Sequence, residues 1–249
     1  MSGGRNDTAL ELWIKRLTMR SSLSEVEIAA IAALPFECAD YDPNRDFVRL
    51  GQTTHHACVV LRGLAGRFEQ TASGARQITA LHIPGDAADL HSTPLPKASC
   101  ALQSLTRSTI AHVPHDALRR LVDDFPAIAM AFWRDCVVDA AILSKWALNI
   151  GRASARQRVA HLLCELSRRY AMIGHDPLRF PLPATQVHLG DATGLTNVHV
   201  NRTLKALSQD GLAVARAGRI EIADPKALER EADFDPAYLH LADGTPPPR

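Results

Sequence analysis

Five side chains near the C-terminal third carry the chemistry: Asn197, His199, Asn201, Arg202 and Lys205. Their spacing sets them outward on a helix whose inward positions are Val200, Leu204 and Leu207. An arginine fork matches the edge of guanine and an asparagine amide matches adenine, each through paired hydrogen bonds. Val198 lies among them and can offer only apolar contact, as to a thymine methyl. Asn197, Val198, His199, Asn201 and Arg202 are therefore the expected base-reading set. Such a face needs a mount. Thr196 can cap this helix, and Thr185 can cap a shorter one before it whose apolar face is Val187, Leu189 and Ala192. Gly194 stands where the chain must turn sharply, and Gly211 closes the second helix. Residues 185–212 thus read as a helix-turn-helix, with double-stranded DNA as the partner. Thr185, Gln186, Thr196 and Lys205 are expected on phosphates, where contacts position without specifying.

The elements around it have their own signals. The run LAVARAGRIEI at residues 212–222 predicts two strands about Ala217-Gly218, a wing beside the helix pair. Asp224-Pro225 starts a short final helix. Upstream, Ser154 caps a helix with the apolar stripe Val159, Leu162, Leu163, Leu166 and Tyr170, ended by Gly174. Before that, Pro126 opens a long helix that Gly151 is expected to break. Its positions Ala129, Trp133, Cys136, Ala140, Leu143, Ala147 and Ile150 alternate in steps of four and three. That 3.5-residue period is a coiled-coil seam, so a second copy of the chain is the expected partner. Phe132, Ile142 and Trp146 form another face that packs at home.

From residue 36 to 113 short β-prone runs alternate with turn residues, the pattern of a small barrel or double sheet. Gly74 and Pro84-Gly85-Asp86 mark turns. Helices flank this region, at residues 7–34 (with a Ser24/Glu27 capping box) and 114–125. The charge is unevenly placed. Residues 1–150 hold 15 Lys/Arg against 16 Asp/Glu, but residues 151–230 hold 12 against 7. The basic excess coincides with the helix-turn-helix, which favours phosphate contact. No apolar run is long enough for a membrane span or a signal core, so a cytoplasmic protein without a membrane partner is expected. Five scattered cysteines, none in a C-x-x-C pair, are expected as free thiols, and no metal site is expected. The GTPPPR tail is expected to be disordered. P-loop, Gly-x-Ser-x-Gly, His-Glu-x-x-His and Rossmann patterns are missing, which argues against an enzyme.

The order β-domain, long helix, winged helix-turn-helix resembles the Crp/Fnr family of bacterial transcription factors. The string GLTNVHVNRTLKAL at residues 194–207 carries the resemblance most strongly, supported by Gly63, Gly66, Gly74 and Pro84-Gly85-Asp86. It implies an α+β fold: an N-terminal cyclic-nucleotide-binding-like β-barrel (jelly roll) over 1–125, a dimerisation helix over 126–151, a winged helix-turn-helix over 152–230 and a tail over 231–249. It also implies a homodimer on a pseudo-palindromic operator, with RNA polymerase as a further partner, and a signal that moves a hinge around residues 149–153. Arg202 falls where the family places its base-reading arginine, whereas Val198 replaces a frequent glutamate, so a different half-site is expected. Members that bind cyclic AMP carry Gly-Glu and Arg-Ser after the Pro-Gly-Asp turn. This chain has neither; Asp86, Asp89, His91, Ser92, Lys97 and Ser99 are the residues left for an effector pocket. Lysine lacks the planar fork that arginine offers a phosphate, so an effector other than cyclic AMP is expected. No N-terminal cysteine cluster supports an iron–sulfur centre, and no spacing singles out a haem ligand among His82, His91, His112 and His115. No cofactor is therefore assigned. The competing reading is a cyclic-nucleotide-binding regulatory module of a signalling assembly; a winged helix that binds only protein is another.

Overall fold

The capping box anticipated at Ser24 forms in the computed structural model, which describes residues 9–241. The Ser24 hydroxyl accepts from the Glu27 amide, and the Glu27 carboxylate accepts from the Ser24 amide at 2.6 Å. Two short helices result, α1 (Glu11–Thr18) and α2 (Glu25–Ala32), where the pattern predicts helix throughout. Seven strands follow: β1 (Glu37–Tyr41), β2 (Arg45–Val48), β3 (His56–Arg62), β4 (Ala65–Gln70), β5 (Arg76–His82), β6 (Ala101–Ser104) and β7 (Ser108–Pro114). They form two sheets, ordered β1-β7-β3 and β2-β6-β4-β5. The jelly-roll expectation holds, but the sheets stay open and do not close into a barrel.

The chain divides into two compact units. One gathers the described residues through Phe68 with Leu81–Ala140, and the other gathers Glu69–Ala80 with Ala141–Leu239. In the first unit β3 buries both of its faces. Cys58 and Val60 join Val48, Ala65, Leu102 and Ile110 in the core between the sheets. Ala57 and Val59 face a second core with Trp13, Ile31, Leu118 and Phe132. A strand covered on both sides reads as a continuous apolar run, which explains the uninterrupted Cys58-Val59-Val60. That second core is closed by α1, α2, α3 (His115–Asp124) and the start of α4 (Pro126–Arg152). Trp13 stacks on Phe132 with centroids 5.3 Å apart. A buried ion cluster ties the same pieces together. Asp135 of α4 accepts from Arg20 at 2.9 Å, while Arg16 bridges Asp135 and Asp86. Removing one partner from such a buried cluster strands an uncompensated charge, at a cost of about 3–5 kcal/mol.

α4 continues through Gly151 to Arg152. Gly151 does not break it, because a single glycine costs a helix interior only about 1 kcal/mol. The break comes two residues later. The Ser154 hydroxyl accepts from the Gln157 amide, and the Gln157 side chain accepts from the Ser154 amide at 2.9 Å, which starts α5 (Ala155–Met172). The second unit then adds β8 (Arg179–Pro181), α6 (Gln186–Thr193), α7 (Asn197–Gln209), β9 (Ala213–Arg216), β10 (Arg219–Ile222) and α8 (Pro225–Ala232). Its sheet is ordered β8-β10-β9, so the expected strand pair gains a third strand. Its centre is polar. Glu165 on α5 is fully buried and accepts from Trp146 Nε1 at 2.9 Å, Arg169 at 3.1 Å and the Tyr238 hydroxyl at 3.0 Å. Residues around Tyr238, expected to belong to a tail, therefore pack on α5. The GTPPPR segment lies outside the described residues.

His161 on α5 is 3% exposed, stacked on Tyr238 and edge-on to Phe234. Burial, reinforced by the Lys145 ammonium, lowers its pKa to about 4 from 6.5. The folded unit thus holds His161 neutral. Its contribution is complete above pH 6.5 and is lost as the pH falls towards 4, because the unfolded chain takes up the proton first. Urea unfolding from pH 7 to pH 4 should lose about 3 kcal/mol more in the wild type than in His161→Phe. Equal losses would contradict this assignment.

Candidate nucleic-acid interface

The helix pair at the interface is set by two caps and a close turn. The Thr185 hydroxyl accepts from the His188 amide at 3.2 Å, and the Thr196 hydroxyl accepts from the His199 amide at 3.3 Å. Each threonine satisfies a donor that the first helical turn leaves open. Between the helices Gly194 adopts the left-handed conformation, φ +65°. Gly190 is the tighter requirement: a Cβ there would lie 2.6 Å from the Leu195 carbonyl oxygen. Sequence reasoning singled out Gly194 and passed over Gly190, whose helical position hid its role. α6 buries Leu189 and Ala192. Val187, expected on that apolar face, is exposed instead, and His188 takes the inward place as the partner of Thr185.

α7 buries Val200, Thr203 and Leu207, with Leu204 half-buried. Asn197, Val198, His199, Arg202 and Lys205 are exposed and Asn201 is half-buried. Val198 is 62% exposed, a large apolar side chain set among polar ones. The wing turns through Ala217 (φ +51°) and Gly218 (φ +71°), both left-handed as a two-residue hairpin requires. A groove between α7 and the wing is lined by Gln186, Asn201, Lys205, Ser208, Arg216 and Arg219. The two wing arginines are exposed and were not singled out from the sequence; the basic count over residues 151–230 was the available signal. Thr185, Gln186 and Thr196 are exposed at the N-termini of the two helices, where backbone N–H groups and the helix dipole favour phosphate.

The residues expected to form an effector pocket go to separate partners. Asp86 pairs with Arg16, and its other oxygen accepts from the Ile83 amide at 2.9 Å. Asp89 accepts from the Cys58 amide at 2.6 Å, and burial pushes its carboxyl up to about 7. Ser92 bonds His115 at 2.8 Å. His91 is half-buried, while Lys97 and Ser99 are exposed. Arg67, missed in the sequence, is a buried cation near Asp89 and pairs with Asp139 of α4 at 2.7 Å. A strand arginine inside a core carries no local sequence signal.

Along α4 the expected seam is only partly outward. Trp133, Ala140, Leu143 and Ala147 are exposed, with Trp133 at 66%. Ala129 and Ile150 are half-buried, and Cys136 packs against the core of its own unit. Met130, Val137 and Leu148 are exposed beside them. Exposed apolar side chains thus run along α4, four of them at expected seam positions.

A model of the Crp-like helix-turn-helix domain matches residues 157–231. Regulatory protein HlyX of Actinobacillus pleuropneumoniae is 25% identical over 84% of this chain and 87% of its own length. The fumarate and nitrate reduction regulatory protein of Escherichia coli K12 is 22% identical over 93% of this chain and 92% of its own. Among solved structures, FixK2 from Bradyrhizobium japonicum superposes with a TM-score of 0.73 at 23% identity, covering 81% of this chain and all of that one. The chain thus carries a Crp-like helix-turn-helix domain, and along most of its length it is similar to transcription regulators of the Crp/Fnr family.

Proposed function

We propose that the protein acts as a homodimer on a pseudo-palindromic operator, each copy reading one half-site. One observation carries this reading: the outward face of α7 presents Asn197, Val198, His199, Asn201 and Arg202 over an inner face that buries Val200, Thr203 and Leu207. Arg202 takes guanine through its two parallel donors, and Asn201 and Asn197 are suited to adenine. Val198 can neither donate nor accept, so its position selects by apolar contact and favours a thymine methyl. Thr185, Gln186, Thr196 and Lys205 hold phosphates, helped by Arg216 and Arg219 of the wing. Dimerisation through the exposed side of α4 supplies the two-fold symmetry that such operators mirror. RNA polymerase is the natural further partner of a regulator bound at a promoter in the cytoplasm. Among the described residues no helix is long and apolar enough to cross a membrane.

The effector is a molecule other than cyclic AMP. Supporting this, Asp86 is engaged by Arg16, Asp89 by the Cys58 amide, and Lys97 is exposed. None of the three stands as a replacement for the paired glutamate and arginine that a cyclic phosphodiester requires.

Arg202→Ala should weaken binding to a selected operator by roughly 10- to 100-fold and relax the preference at one base per half-site. Unchanged affinity and unchanged preference in a binding titration would refute the role of Arg202. Trp133→Asp places a charge at the most exposed apolar point of α4 and should convert a sedimenting dimer to monomer. A variant that remains dimeric at micromolar concentration would refute the α4 interface.

A further inference from the structure

We propose that His56, Cys58 and His112 form a transition-metal site between strands β3 and β7, suited to zinc(II). The strand pattern brings them together. His56 and Cys58 are two residues apart on β3 and so point to the same face, and Cys58 lies directly opposite His112 of β7. One ligand atom from each residue lies within 4.8 Å of the other two. The imidazole rings meet edge to face with centroids 4.3 Å apart. This is a set of borderline-soft nitrogen and sulfur donors, the combination zinc prefers.

The separation of the cysteine and histidine donors fits a tetrahedral ion. Zinc bonds of about 2.0 Å to nitrogen and about 2.3 Å to sulfur at a tetrahedral angle hold the two donors about 3.6 Å apart. Cys58 Sγ and His112 Nδ1 are 3.7 Å apart. The other nitrogen of His112 is engaged: the Tyr41 hydroxyl stands 3.0 Å from Nε2. With Nε2–H donating to the phenol oxygen, Nδ1 keeps its lone pair towards Cys58, the outer-shell arrangement that orients a metal-bound histidine. His56 Nε2 is buried with no hydrogen-bond partner, a vacancy in bonding that a third metal bond fills. Three protein ligands leave a fourth position for water or a small ligand. Coordination replaces the Cys58 S–H bond by a sulfur–metal bond and releases that proton to solvent.

The pattern escapes sequence reading because its two halves, a His-x-Cys pair and a lone histidine, are far apart in the chain. The site rests on the sheet unit alone, independent of the DNA reading. Full-length protein, stripped with a chelator, is titrated with zinc(II) against a chromophoric competitor, and with cobalt(II) for its thiolate charge-transfer band. The expected result is one zinc per chain and a cobalt–thiolate band. Cys58→Ser should abolish the band and weaken zinc at least 100-fold, His56→Gln should weaken it at least 10-fold, and Tyr41→Phe about 10-fold. Thermal unfolding of each metal-free variant is followed alongside, and His56→Gln, at a half-buried position, serves if Cys58→Ser does not fold. Failure of the wild type to take up one equivalent, or uptake unaffected by the folded variants, overturns the site.

Discussion

One close approach governs how this protein can meet DNA: the Leu195 carbonyl sits where any side chain on residue 190 would stand. With Gly190 and the left-handed Gly194, the chain turns from α6 to α7 in a few residues, and the two threonine caps fix where each helix begins. The inner face of α7 then has to be mainly apolar, and Val200 and Leu207 are fully buried beside Thr203. Only once that angle and that register are set does the outer face become a reading surface. On the proposed reading, the choice of bases is a property of a few exposed tips, but their presentation is a property of a backbone contact.

Buried polar groups bind the rest of each unit together. Asp135 in the sheet unit and Glu165 in the DNA-binding unit are both buried carboxylates that receive several donors. Such groups add little net stability compared with a well-packed apolar core, yet a missing donor is expensive. In the sheet unit the same demand removes Asp86 and Asp89 from any simple role in grasping a ligand. The inner face of β3 carries the different opportunity described above, where two imidazoles and a thiol meet.

How much the sequence could reveal depended on whether a signal was local. Caps at Ser24, Ser154, Thr185 and Thr196 are short-range, and all four form as the spacing implies. The wing turn at Ala217-Gly218 is equally local. Gly151 misled because a glycine inside a long, well-packed helix is tolerated. Val187 misled because a short helix leaves little room to judge phase, and the inward place went to a capping histidine. Arg67, Gly190 and the His56–Cys58–His112 cluster were invisible for one common reason: each depends on a partner from another element, and no spacing along the chain encodes it.

The central claim is that two copies of α7 read DNA with two-fold symmetry, through Arg202 and without a hydrogen bond from residue 198. Selection of bound sequences from a random duplex library by the full-length protein tests it most directly. The expected result is an inverted repeat whose half-site centres lie about one helical turn apart, with an invariant guanine per half-site that disappears from the Arg202→Ala selection. A single unrepeated motif, or an enriched repeat identical in wild type and variant, would contradict it.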